Sequence, residues 1–278
     1  MRISGLSRTK LVIGGFDIRA KTHTSEDQFY KVMANAHALF PAIQGVGVHG
    51  YYTVTGPPEA EVLTFNNALE LFRKLFEASN STVTWSLTKI PVSTWQELLK
   101  VLPDIGTVSA GYDIRASRLI SRQTVTEKTE EFVAVYKKIG PTKEAPSNGL
   151  PNLSISGTLT ISPKPVNNAL HPSWRNATVH LITGQSWTDS TNDTAVRNII
   201  HDVTYRKLTL LRELDLAQGV YLNEPDWQWS FWGPNYARLR DIKERYDPEG
   251  LLWCPQCVGS EDWVQRQDGR LCRVFTPW

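Results

Sequence analysis

Residues 46–65 restrict the fold more than any other stretch. Val46 to Thr55 (VGVHGYYTVT) is β-branched and aromatic, Pro57-Pro58 is a turn, and Glu61 to Phe65 is a second strand-like run. Two such runs across a short turn read as a hairpin, which commits the sheet around them to antiparallel pairing. Leu11 to Ala20, Val83 to Ile90, Asn152 to Ile161 and Thr178 to Thr183 carry further strand patterning. Helical patterning runs through Asp27 to Leu39, Asn67 to Ala78, Thr94 to Leu102, Thr124 to Lys138 and Asp193 to Leu216. Ser25 and Ser93 are the expected N-caps, and Pro41 is expected to end the first helix. Strands and helices joined this way predict an α+β fold, an antiparallel sheet covered by helices. Gly45 to Gly50 matches GxGxxG, but a strand follows where a dinucleotide site needs a helix, so it reads as a glycine-rich loop.

Composition narrows the function classes. The net charge of +2 gives no electrostatic case for nucleic acid or a membrane surface. No apolar run approaches the roughly 20 residues of a transmembrane helix. The N-terminus is basic but lacks the apolar core and cleavage site of a secretory signal. Even so, sequons stand at Asn80, Asn152, Asn176 and Asn192, which hints at a secretory origin.

The chemistry concentrates near the C-terminus. Tyr221 to Trp263 holds five of the ten Trp residues and two of the three Cys. Trp227, Trp229, Phe231 and Trp232 crowd together, too densely for all to enter one core, and suit a ligand wall. Pro234 then opens a short amphipathic helix, and Asp247-Pro248 and Gly250 close it. Cys254-Pro-Gln-Cys257 lies after a helix end, so it lacks the helix N-terminus that activates a redox pair. No His is near enough in sequence to complete a zinc site, and no metal is expected. The reading is a structural disulfide from Cys257 or Cys254 to Cys272, pinning the C-terminal loop. Asp113, Glu224 and Asp226 are possible acid/base groups, though nothing pairs them by spacing.

These residues carry a resemblance. Tyr221-Leu-Asn223, Phe231-Trp-Gly-x-Asn235-Tyr236-x-Arg238-Leu239 and Tyr246-Asp247-Pro248 resemble the C-terminal signature of berberine bridge enzyme-like FAD-linked oxidases, in the vanillyl-alcohol oxidase superfamily. The tail from Trp253 to Cys272, with Ser117-Arg-Leu-Ile120 and His171-Pro-Ser-Trp174-Arg175, resembles the fungal branch. The resemblance implies a substrate domain at 1–218 and a berberine-bridge segment at 219–278, with the N-terminal FAD domain absent. It implies FAD as cofactor, Asn235 and Tyr236 against the flavin, and Tyr221 or Tyr236 as candidate catalytic groups. Trp227, Trp229, Phe231 and Trp232 would line the substrate, a small apolar or aromatic natural product giving hydride to flavin. A FAD domain in cis or trans is the implied partner, and secretion the implied route. Plant members carry a Glu on a strand over the flavin; here Ser154 to Ile161 has no carboxylate. Two further readings stand beside this one: a flavin-free homologue that speeds a cyclisation by positioning, and a non-catalytic fragment or partner subunit.

Overall fold

The computed structural model describes residues 11–55, 59–65, 69–101, 112–144, 146, 150–159, 167–220 and 227–274. The strands are β1 (Leu11–Ala20), β2 (His49–Thr55), β3 (Glu59–Phe65), β4 (Val83–Val92), β5 (Tyr112–Ser121), β6 (Ser154–Thr158), β7 (Ala177–Trp187), β8 (Trp263–Gln265) and β9 (Leu271–Arg273). The helices are α1 (Glu26–Gly45), α2 (Leu69–Ala78), α3 (Trp95–Val101), α4 (Arg122–Glu127), α5 (Thr129–Ile139), α6 (Ser173–Asn176), α7 (Asp193–His201), α8 (Leu208–Leu214) and α9 (Tyr236–Tyr246). The first seven strands form one sheet in the order β4-β1-β3-β2-β6-β7-β5, antiparallel at every pairing, and β8 and β9 make a separate hairpin. The hairpin expected from residues 46–65 is β2–β3, and the α+β class holds.

The sheet has one helix-covered face. β2 alternates strictly, burying Gly50, Tyr52 and Val54 and exposing His49, Tyr51, Thr53 and Thr55. The buried side meets α1, which contributes Phe29, Tyr30, Met33 and Phe40 to a core shared with Phe16, Phe72, Phe132 and Tyr136. Inside it, His37 links the Met33 carbonyl and the Tyr52 hydroxyl, both at 2.7 Å. The Tyr52 ring lies over Gly157, where a Cβ would come within 2.1 Å of it. The other face is open and polar at its centre, and α3 covers a small patch at Ile13, Val92 and Leu98.

Several element ends differ from expectation. α1 does not stop at Pro41 but runs to Gly45. An interior proline costs about 3 kcal/mol, yet stopping there would expose Phe40 and Ile43, both fully buried and worth about 1.5–3 kcal/mol each. Ser25 caps α1 as expected, in a capping box with Gln28, while the α3 cap falls at Thr94 rather than Ser93, with Glu97 reaching back. The helix expected over Thr124 to Lys138 breaks at Lys128 into α4 and α5. The long helix after Asp193 widens into a π-turn at Asp202–Lys207, which buries Lys207 and pairs it with Asp202 at 3.1 Å. Residues 107–121, irregular by sequence, hold β5.

The C-terminal segment attaches at the β5 edge. Leu119 N–H donates to the Gly219 carbonyl (3.0 Å), and Val220 N–H to that of Ser230 (2.9 Å).

Candidate functional site

The tail folds onto the loop at residues 167–176. A π-turn at Gln228–Trp232 and a 3₁₀ turn at Gly233–Asn235 lead into α9. Gly233 has φ +55°, a conformation side chains avoid, and a Cβ there would lie 2.4 Å from His171 Nε2. The imidazole of His171 occupies that space. Its Nδ1 accepts the Ser173 N–H (3.0 Å), and its ring meets Trp229 edge-on at 6.1 Å. Burial, with the nearby Arg118 charge, lowers the His171 pKa to about 4, so the ring is neutral at pH 7 with its proton on Nε2. Asn235 Nδ2 donates to the Leu170 carbonyl (2.9 Å), and Arg238 to that of Asn168 (3.2 Å). Two motifs that stand far apart in sequence, His171-Pro-Ser-Trp174-Arg175 and Phe231-Trp-Gly-x-Asn235-Tyr236, therefore form one interface.

Behind it, the Tyr236 hydroxyl donates to Glu261, accepts the Gly259 N–H (3.2 Å), and has Trp227 edge-on at 5.6 Å. Burial and the Glu261 carboxylate raise its pKa, so the phenol keeps its proton at neutral pH and is a donor rather than a base. Asp247 accepts from Leu251 N–H (2.8 Å) and Leu252 N–H (3.0 Å) and pairs with Lys243, which fixes the return after α9. Its pKa is lowered by Lys243 first and by those amides.

The clustered aromatics take separate partners. Phe231 is buried, Trp229 is 46% exposed, and Trp227 and Trp232 lie half-buried. The indole N–H of Trp232 is buried with no acceptor. Tyr221, Glu224 and Asp226 fall outside the described residues. α9 buries none of its residues, and Ile242, Tyr246, Leu251 and Leu252 are exposed along that side of the tail.

The expected bridge to Cys272 is corrected. Cys254 is joined to Cys257, Cα atoms 5.4 Å apart, and Cys272 is a free thiol. The tight turn explains it: Cys257 N–H bonds the Cys254 carbonyl (3.2 Å), with Gln256 at φ +60°. Cys272 is held opposite Val264 in the β8–β9 hairpin. Thiol titration of the unfolded chain is expected to count one thiol without reductant and three with it. Three without reductant would rule the bridge out. Because the bridged loop is so short, losing it is expected to cost only about 2 kcal/mol.

A second feature lies on the open sheet face, reached along the same β5 strand that holds the tail. Thr53, Asp113, Arg115, Ser154, Ser156 and Ile182 line most of a trough of about 350 Å³. Sequence reading noted Asp113 but not the trough. Its signal was the polar alternation of β6, at Ser154 and Ser156, which alone looks like a solvated strand.

A bound FAD would draw on polar groups of the tail that have no partner within the chain. Asn235 Nδ2 and the Tyr236 hydroxyl are already bonded within the chain, whereas the Trp232 indole N–H, His171 Nε2 and Arg240 Nη1 are buried with no hydrogen-bond partner. An indole N–H of this kind could donate to a carbonyl or ring nitrogen such as those on the edge of a flavin. Among the described residues no glycine-rich loop before a helix offers a pyrophosphate cradle.

Residues 211–259 match the family model "Berberine and berberine like". The chain is 29% identical to the FAD-linked oxidoreductase sor8 of Hypocrea jecorina, an alignment covering 90% of this chain and 44% of that protein. It is 30% identical to an uncharacterized FAD-linked oxidoreductase of Arthroderma benhamiae, over 86% of this chain and 43% of that one. In structure it resembles the VAO-type flavoprotein MtVAO713 of Myceliophthora thermophila (TM-score 0.82, 22% identity, 95% of this chain and 50% of that one). The chain thus spans half or less of each of these relatives.

Proposed function

The chain is a fungal-type member of the berberine-bridge-enzyme-like family within the VAO superfamily, and from that premise we propose that it is the substrate-binding half of an FAD-linked oxidoreductase. Residues 1–218 would form the substrate domain and 219–278 the segment that returns to a FAD-binding half. FAD, when bound, supplies the hydride acceptor for a small natural-product-like substrate. The observation that carries the reading is the interface of the tail with the His171 loop. It seats Trp229, Gly233 and Asn235 on the 168–171 loop, and the chain just before it bonds to β5 through Leu119 and Gly219.

This chain's own residues would then hold and orient. Trp232 would donate to one edge of the ring, with Asn235 and Tyr236 placed against it. Tyr236, protonated and donating to Glu261, would help shape the site and would not be the base that takes the substrate's proton. The exposed large apolar side chains Ile242, Tyr246, Leu251 and Leu252 in and just after α9 are consistent with a covering partner domain. No helix among the described residues is long and apolar enough to cross a membrane. Secretion with glycans at Asn80, Asn152, Asn176 and Asn192 belongs to the same proposal. At Asn152 the Nδ2 already donates to the Thr142 carbonyl (2.7 Å), a bond that a glycan would have to replace.

The purified chain, given FAD, is expected to stay colourless. Joined to the FAD-binding half of the Hypocrea relative, it is expected to give a yellow protein with flavin at one per chain. A stoichiometric flavin band from this chain alone would overturn the need for a second half, and a folded hybrid without flavin would overturn the reading itself.

A further inference from the structure

The sheet register gives the open face its chemistry in rows. Ser154 pairs with Gly184 and Gly184 with Arg115, so one row crosses β6, β7 and β5. The next row runs Thr53, Ser156, Ile182 and Ser117 across β2, β6, β7 and β5. Strands sit about 4.8 Å apart, so Arg115 and Ser154 are rooted about 10 Å apart on either side of Gly184. That glycine makes the gap. A Cβ on it would press on the Arg115 stem at 3.3 Å, and without one the stem lies against the strand. Asp113, two residues earlier on the same edge, accepts from Arg115 Nε at 2.5 Å and holds the guanidinium plane. Nη1 and Nη2 of Arg115 bond to no described residue.

An exposed ion pair contributes little to stability, typically about 0–1 kcal/mol. Asp113–Arg115 does not need to stabilise the fold to matter here. A guanidinium braced at Nε presents its outer edge as a two-pronged donor, the geometry that takes a carboxylate in bidentate fashion. Beyond it the trough offers the hydroxyls of Ser154, Ser156 and Thr53, and Ile182 as its one large apolar side chain. An apolar aromatic molecule would strand these hydroxyls and the guanidinium, and each buried donor left unpaired costs about 1–3 kcal/mol. Three of the four tail aromatics, the argument for an aromatic substrate, already have partners: Trp227 has Tyr236, Trp229 has His171, and Phe231 is buried.

We infer that the open-face trough binds a small hydroxylated carboxylate, with Arg115 as the carboxylate anchor, Asp113 as the residue that positions it, and Ser154, Ser156 and Thr53 as hydroxyl partners. This rests on the reading of the chain as a substrate-binding half and names the substrate class for it.

The test is a titration of the full chain with sodium gluconate, followed by backbone amide shifts. Sorbitol (the polyol without the carboxylate), benzyl alcohol and sodium chloride at equal ionic strength run beside it. Gluconate is expected to shift Gly184, Ser154 and Ser156, and sorbitol to need at least about ten times the concentration. Arg115→Gln is expected to weaken gluconate at least tenfold while leaving the thermal midpoint unchanged, because the side chain is 63% exposed. Arg115→Lys keeps the charge without the fork and should fall between. Equal binding of sorbitol, the same shifts from sodium chloride, preference for benzyl alcohol, or an Arg115→Gln chain that binds gluconate normally would each overturn the inference. Flavin incorporation by the hybrid protein is read separately, so a silent trough in a yellow hybrid rejects this inference alone, and a responsive trough beside a colourless hybrid rejects the flavin reading alone.

Discussion

Lowering the pH from 7 to 5 is expected to remove about 6 kcal/mol of folding stability, through three buried histidines. His37, His171 and His180 are each lowered by burial from 6.5 to about 4 in the folded chain. His37 is further bonded at both ring nitrogens, to Met33 and Tyr52. Below 6.5 the unfolded chain takes up protons that the folded chain refuses until about 4. The stability is therefore fully present above 6.5 and falls as the pH drops through that window. Each group contributes about 2 kcal/mol of loss by pH 5, and the slope there approaches three protons, about 4 kcal/mol per pH unit. A domain typically holds about 5–15 kcal/mol in all, so the acid transition is expected near pH 5. Urea unfolding at pH 7, 6, 5.5 and 5 measures the slope. A flat profile between 6.5 and 5 would refute it. Asp247, held low by Lys243, adds its own loss only at more acidic pH.

Gly233→Ala is expected to cost about 3–5 kcal/mol and to free the tail from the His171 loop. Two separate terms add: a side chain forced to φ +55°, and a Cβ 2.4 Å from the His171 ring. They can be told apart. In His171→Ala/Gly233→Ala the contact term disappears and the backbone term stays, so the double variant should be more stable than the sum of the single losses predicts. Denaturant unfolding of the four proteins gives the cycle, and proteolysis within 227–274 reports tail release. A Gly233→Ala chain within about 1 kcal/mol of the parent would show that the tail is not held this way.

The sequence made the fold class legible and left the joints hidden, for physical reasons. Strict alternation in β2 reflects one buried and one open face, and period alone shows that. β5 was not legible as one strand because half of it is buried on both sides: Ala116 to Ile120 are all buried, including Arg118, which donates to the Asp215 and Leu216 carbonyls. Pro41 was misleading because local propensity stops a helix that tertiary burial continues. In the tail, the motif identified the segment but not its receptor, since nothing in Gly233 announces that His171 lies against it. The Cys254–Cys257 turn was missed for a related reason. A left-handed backbone at Gln256 is not a residue one expects from its sequence. The trough was missed because Ser, Thr and Gly on alternate strand positions look the same whether they face solvent or a ligand.

The strand order also carries a consequence for how the chain reaches this state. β4-β1-β3-β2 comes from the first hundred or so residues and β6-β7-β5 from the rest, and the blocks meet at a short seam of four residue pairs, Tyr51–Thr158 through Val54–Ile155. Bringing together strands about a hundred residues apart costs about 4 kcal/mol of chain entropy before the seam returns anything. Each block can pair internally first, so the seam is the natural late step and the slow one. Tyr52, bonded to His37 and lying over Gly157, sits on that seam. It is the point where two half-sheets become one sheet, and so where the row from Thr53 to Ser117 first comes into being.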